Sequence, residues 1–241
     1  MEQGYLHQVL PFLKDLNADR RKLLEEYFNS APVWLMDAFQ IIKMDKDITF
    51  IRENTPVEMV YIIGEGTIRA VDFRIFGIRY EFMRFSGIYA MGGMEVVMDI
   101  DTYRTTLQTA TPCTMIALPR KKFAKWLETD IKALKQEAKA IGEYLLIDGR
   151  RGRALLFMQA SDRLCMLFAD KYEEDADNEI LTISETRQEI AEESGLCGKT
   201  VNRAVKKVED DKIICRNGNK IIISKEQYLK MQQMVSEIIE R

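Results

Sequence analysis

"TRQEIAEESGLCGKTVNRAVKKVEDDKII", residues 186–214, decides the fold. Its first ten residues predict a short helix with Ile190 and Ala191 turned inward. Gly195 stands at the C-terminal turn, where glycine tolerates a left-handed backbone. The remainder predicts a second helix with Val201, Ala204, Val205 and Val208 on one face and Lys199, Asn202, Arg203 and Lys206 on the other. Two short helices this close make a helix-turn-helix. "IICRNGNKIIIS", residues 213–224, follows, and its Asn217-Gly218 between β-formers signals a hairpin. Helix, helix and hairpin in that order predict a winged helix.

The charge of this stretch differs from that of the chain. The whole protein carries a net charge of −3, whereas Cys197 to Lys220 holds seven basic and three acidic residues, a local +4. Such a patch on an acidic protein is an electrostatic footprint for phosphate. A second helix of this kind enters the major groove by its N-terminal end. Lys199, Asn202 and Arg203 are best placed for base edges, because Lys or Arg suits guanine and Asn suits adenine. Thr186, Arg187, Gln188, Lys206 and Arg216 suit phosphate contacts that set register, and Thr200 joins the same surface. The competing reading is a winged helix that docks a protein and leaves this face solvated.

Upstream, "SDRLCMLFADKY" (161–172) reads as a helix, and the acidic "EEDADNE" (173–179) as a solvated loop. Before these lies a long helical stretch from about Lys121 to Met158. Leu127, Ile131, Leu134, Ala138, Ile141 and Leu145 fall on the two seam positions of a heptad pattern, which predicts a coiled-coil dimer rather than packing within one chain. Asp148 and Gly152 occupy the next seam positions, with Gly149 between. Glycine weakens a helix interior by about 1 kcal/mol, so either something is gained there or the helix bends.

From about 48 to 118 the pattern is short β-branched or aromatic runs: "ITFI", "EMVYII", "TIRAVDF", "IRYEFMRF", "YRTTLQTA" and "CTMIAL". Asn54, Gly64, Gly66, Gly77 and Gly87 punctuate them, and this spacing predicts a barrel or sandwich. In "IRYEFMRF", Arg79 and Glu81 alternate with Ile78, Tyr80 and Phe82, as in a strand with one wet face. Nearer the start, "NADRRKLLEEYFN" (17–29) predicts a helix with Leu23, Leu24, Tyr27 and Phe28 on one side.

Composition narrows the function classes. With 46% hydrophobic and 30% charged residues the chain is globular, and its 241 residues suit two domains. No apolar run reaches the roughly 18 residues of a membrane span. "MEQGYLHQVLPFLKDL" lacks the features of a secretion signal, so a cytoplasmic protein without membrane partners is expected. His7 is the sole histidine, which argues against most zinc sites, histidine triads and histidine-ligated haem. Cys113, Cys165, Cys197 and Cys215 are widely spaced and read as reduced thiols. No catalytic residues, metal or cofactor are expected, and a cupin-type enzyme on the same kind of barrel would need an all-carboxylate metal site that the strands do not offer.

A β-barrel, a long helix and a C-terminal winged helix resemble the Crp/Fnr family of bacterial transcription regulators. "VYIIGEGTIRA" is similar to the family's barrel hairpin, and residues 186–214 to its DNA-binding helices. The resemblance covers nearly the whole chain. It implies an α+β fold: an antiparallel β-roll or jelly-roll-like barrel that binds an effector (1–120), a dimerisation helix (121–158) and a winged helix-turn-helix DNA-binding domain (159–241). It also implies a homodimer on a two-fold symmetric operator, an effector between barrel and helix, and a contact with RNA polymerase if the protein activates.

The departures from the family concern the effector. Cyclic-AMP-binding members carry Gly-Glu, with an Arg-Ser pair ten residues after the Glu; the Glu holds the ribose and the Arg the phosphate. Here Gly92-Gly93 stands in place of Gly-Glu, and ten residues on from Gly93 is Tyr103, with Arg104 one too late. A one-residue slip turns a side chain to the opposite face, unless a bulge compensates. Ungapped counting also puts Asp148 and Gly149 where the cyclic-AMP receptor has two base-contacting hydroxyl residues. The candidate effector residues are Gly92, Gly93, Met94, Tyr103, Arg104, Thr105 and Asp148. The expectation is a DNA-binding regulator whose small effector is not cyclic AMP; a cyclic-nucleotide-responsive regulator and an effector-free DNA binder are the alternatives. Gly198 and Lys199 replace the Arg-Glu pair of the cyclic-AMP receptor, so its preferred DNA sequence should differ.

Overall fold

The computed structural model describes residues 2–75 and 78–239. Gly77, expected at a turn, lies outside them. The chain divides into two compact units, one of Met1–Asp72 with Phe82–Tyr144 and the other of Phe73–Glu81 with Leu145–Arg241. The division falls inside the long helix rather than at 120 or 158.

The first unit opens with α1 (Glu2–Val9), a 3₁₀ turn (Pro11–Lys14), α2 (Ala18–Tyr27) and α3 (Val33–Met36). Asn17 caps α2 by accepting the Arg20 N–H at 2.8 Å. Leu24, Tyr27 and Phe28 are buried, as expected for an i, i+3, i+4 stripe, but Leu23 lies off that stripe and is 49% exposed. Arg20 fastens α2 to the barrel by donating to the carbonyls of Ile63, Gly64 and Ser86 at 2.9, 2.9 and 2.5 Å.

The barrel consists of two antiparallel sheets. One has the order β1-β8-β3-β6, built from β1 (Gln40–Met44), β3 (Met59–Glu65), β6 (Ala90–Met91) and β8 (Cys113–Pro119). The other has the order β2-β7-β4-β5, from β2 (Thr49–Ile51), β4 (Ile68–Ile75), β5 (Ile78–Phe85) and β7 (Thr106–Thr109). Val60 pairs with Leu118 and Ile62 with Ile116. These four pack on the helices with Leu24, Phe123 and Trp126, whereas Ile63 and Met115 turn to the barrel interior. β3 and β8 therefore bury both faces, which explains their nearly continuous apolar sequence. In β5, Glu81 is buried rather than wet.

The expected single helix from 121 to 158 is two helices, α5 (Arg120–Thr129) and α6 (Ile131–Phe157). Asp130 breaks them. Its backbone is extended (φ −129°, ψ 100°), and its carboxylate accepts the N–H of Lys132 at 2.9 Å and of Ala133 at 3.4 Å. That is an N-cap, a role Asp fills well and a helix interior cannot use. Conversely, α6 runs unbroken through Gly149 and Gly152. Between barrel and α5, the short α4 (Gly93–Val97) follows β6.

The second unit contains α7 (Ala160–Asp175), β9 (Ile180–Ile183), α8 (Arg187–Ser194), α9 (Gly198–Asp210), β10 (Cys215–Asn217), β11 (Lys220–Ser224) and α10 (Lys225–Ile239), with the sheet order β10-β11-β9. Leu164, Phe168, Ile190, Val201, Val205 and Ile221 form its centre. The hairpin pairs Asn217 with Lys220, so Gly218 and Asn219 are the loop, one position later than expected. Gly218 has φ 60°, as the first central residue of a II′ turn requires. Lys171, 3% exposed, is held among the helices by Glu185 at 2.5 Å and Glu193 at 2.8 Å.

Candidate nucleic-acid interface and ligand cavity

The winged helix is built from local rules. Thr186 caps α8: its hydroxyl accepts the Glu189 N–H at 3.2 Å while the Glu189 carboxylate accepts the Thr186 N–H at 2.7 Å. Gly195 ends the helix in the left-handed conformation (φ 66°). Two residues later Cys197 opens α9. Val201, Ala204, Val205 and Val208 are buried, which leaves Lys199, Asn202, Arg203 and Lys206 along the opposite face. Thr186 is exposed, and Gln188 donates to Glu192 at 3.3 Å.

The wing is tied to this helix. Arg216 of β10 makes an ion pair with Glu209 of α9. Arg187 is half-buried beside them; burial, and then the Arg216 charge, hold its guanidinium below the ordinary arginine range. The Cys197 thiol lies 3.1 Å from the Thr200 hydroxyl, and that contact first, with the α9 N–H groups, lowers its pKa. Thr200 is thus engaged locally. The surface can supply cations to phosphate and long donors to a groove.

The seam residues divide. Leu127 sits on α5 and is 4% exposed; Leu134 packs on the core of the first unit, and Ile141 lines a cavity. Ile131 (63% exposed), Ala138 and Leu145 (56% exposed) instead face outward at seven-residue spacing on α6.

The cavity lies in the first unit and has a volume of about 100 Å³. Gly92, Met94, Tyr103 and Thr105 line it, together with Ile51, Met91, Leu107, Phe82, Phe85, Tyr89, Tyr144, Ile141, Glu95 and Glu137. Gly92 has φ 94°, and a side chain there would meet Met59 O at 3.1 Å and the Tyr103 ring at 3.2 Å. Tyr103 donates to Met59 O at 2.6 Å, and burial pushes its phenol up to about 12. Arg104 departs from the expected effector set: its side chain is exposed and outside the lining, while its backbone N–H donates to Glu95 Oε1 at 3.0 Å. Tyr103 is buried and Thr105 half-buried, whereas Arg104 between them, at a bend just before β7, is exposed. Asp148 is exposed and likewise outside the lining.

Gly93 contributes in a different way. A Cβ at Gly93 would lie 2.8 Å from Glu137 Oε2. The carboxylate that the resemblance implies at position 93 is therefore replaced by one reaching in from α6. Glu137 is 4% exposed and accepts the Tyr27 hydroxyl at 2.7 Å through Oε1. Burial pushes its carboxyl up to about 7, against the downward pull of that hydrogen bond. Sequence reasoning did not select Glu137, Glu95 or the rings. The signal was present, for Glu137 is a charged residue on the same helical face as Ala133, Ala140, Ile141 and Tyr144. Among the described residues, none that lines the cavity is basic. Among the described residues, no group of three His, Cys, Asp or Glu side chains is arranged to hold a metal ion, and no helix is long and apolar enough to cross a membrane.

Residues 153–231 match the Crp-like helix-turn-helix domain family. No curated protein matches the sequence. Among solved structures, the c-di-GMP-responsive global regulator CLP of Xanthomonas campestris superposes with a TM-score of 0.69 at 18% identity, covering 79% of this chain and 96% of its own. FixK2 of Bradyrhizobium japonicum gives 0.62 at 17%, with 80% and 96% covered. TTHA1359, a CRP/FNR-family transcriptional regulator of Thermus thermophilus, gives 0.67 at 15%, with 84% and 99% covered.

Proposed function

We propose, on the premise that this chain is a transcription regulator of the Crp/Fnr type with a Crp-like helix-turn-helix domain, that it binds a two-fold symmetric DNA site as a homodimer under control of a small effector other than a cyclic nucleotide. The observation that carries the DNA reading is α9: four buried apolar residues on one face and Lys199, Asn202, Arg203 and Lys206 on the other. Lys199, Asn202 and Arg203 read base edges in the major groove. Thr186, Arg187, Gln188, Lys206 and Arg216 contact phosphate and fix register. Thr200 supports the N-terminal turn. Two copies pair through the outward row of Ile131, Ala138 and Leu145, because large apolar side chains at heptad spacing gain most from a second helix. The dimer places two α9 helices on half-sites about one DNA turn apart. A contact with RNA polymerase is expected if the protein activates.

The effector reading rests on the cavity. A cyclic phosphate needs a cation, and Arg104 faces solvent while the lining carries two carboxylates. Placing an anion beside buried carboxylates is strongly unfavourable. The volume of about 100 Å³ is also below the 150 Å³ or so that holds benzene, and a cyclic nucleotide is far larger. Selection of bound duplexes from a random library tests the proposal. A palindromic motif with half-sites about one turn apart supports it; recovery of unselected sequence overturns it.

A further inference from the structure

The chemistry of the cavity goes further than excluding an anion. Glu137 and Glu95, 4% and 6% exposed, both reach it from helices that flank the barrel. Oε1 of Glu137 is occupied by Tyr27, and Oε1 of Glu95 by the Arg104 N–H. Among the described residues, the second oxygen of each carboxylate has no hydrogen-bond donor. In the same lining, Phe85 stands against Tyr89 (centroids 5.3 Å apart, 71° between planes) and against Tyr144 (6.1 Å, 33°). Aromatic faces attract cations through their quadrupole, and buried carboxylates need a positive partner or a donor. Aromatic rings and acceptor oxygens lining one cavity, with no basic residue among the described lining residues, are complementary to an ammonium group on a short apolar frame.

We infer that the effector of this protein is a small organic cation, a primary or secondary amine, whose ammonium lies at the free oxygens of Glu137 and Glu95 and whose carbon frame packs on Phe85, Tyr89 and Tyr144. The inference rests on the reading of the cavity as the effector site. Gly93 belongs to the site by its lack of a side chain, since a Cβ there would displace the Glu137 carboxylate. A raised Glu137 pKa agrees with this, for a buried carboxyl without a cation is costly to ionise.

The test is calorimetric titration of the full chain with propylamine and isobutylamine, and with butyrate, isobutyrate and cyclic AMP as matched controls. Saturable binding of at least one amine, with an affinity at least about tenfold above its matched carboxylate and above cyclic AMP, is the expected result. Glu137→Gln should weaken the amine about tenfold or more. Ala140→Leu, which fills the cavity while keeping both carboxylates, should abolish binding and stands in if the first variant does not fold. No amine binding up to about 10 mM, equal binding of the carboxylates, or undiminished binding by Ala140→Leu overturns the inference. Titration of the same protein with the selected duplex separates the two claims. DNA binding without amine binding sinks only the effector class; amine binding without DNA binding sinks the regulator reading and leaves the cavity assignment standing.

Discussion

Replacing Glu137 by glutamine should change how the stability of the barrel unit depends on pH. In the folded chain the carboxyl is buried against Tyr27 from α2, near Glu95 from α4, Tyr89 and Tyr103 from the barrel and Tyr144 on its own helix. Burial raises its pKa from 4.5 to about 7. The folded state therefore holds a proton that the unfolded state has released between these values. Stability from this group is complete below about 4.5 and is lost as pH rises through about 7. At roughly 1.4 kcal/mol per pH unit the loss is about 3 kcal/mol. Glu137→Gln keeps an acceptor for Tyr27 but cannot titrate, so its stability relative to wild type should improve by about 3 kcal/mol between pH 4.5 and 8. Urea unfolding followed by tryptophan fluorescence reads this unit alone, because both tryptophans, Trp34 and Trp126, lie in it. Parallel pH profiles for the two proteins would refute the assignment of a buried, late-titrating carboxyl.

Further outcomes follow from other contacts. Lys171→Met should destabilise the winged-helix unit by about 3–5 kcal/mol in calorimetric melting, since it strands Glu185 and Glu193; a loss under about 1 kcal/mol would mean the pairs are solvent-like. Leu145→Glu should lower the dimer fraction in sedimentation, because it puts a charge in the exposed α6 row; an unchanged distribution would place the interface elsewhere. Arg203→Ala should cost about 1–3 kcal/mol and relax preference at one base pair, while Lys206→Ala should weaken all sequences alike; the reverse pattern would exchange their roles. Alkylation followed by mass spectrometry should label Cys197 ahead of Cys113 and Cys165. The Cys197 thiol is exposed with a lowered pKa, whereas burial raises that of both others; equal labelling of all three would contradict this ordering.

The winged helix was legible because each of its signals is local. Thr186 with Glu189, Gly195, the spacing of Val201 to Val208 and the Asn-Gly-Asn turn act within a few residues of one another, and only the loop register moved by one. The barrel strands were legible from their β-branched runs. The long helix was not, because heptad counting measures apolar spacing and passes over Asp130, whose short carboxylate prefers to cap. The same counting joined Leu134 and Ile141, which face their own unit, to Ile131 and Leu145, which face outward. The cavity was half legible. Counting from Gly93 to Tyr103 located the slipped arginine, and the structure buries Tyr103 and exposes Arg104. Glu137 escaped because its partners, Tyr27 and Gly93, are distant in sequence and meet it only through packing.

The central claim, specific binding to duplex DNA by a dimer, meets its most direct test in fluorescence anisotropy of the selected duplex across a salt series. Two chains should bind each duplex, with an affinity that falls with salt at a log–log slope on the order of −5, from about six phosphates neutralised by Arg187, Lys206 and Arg216 of two winged helices. Affinity that is independent of salt, or equal for the selected and a scrambled duplex, would contradict it.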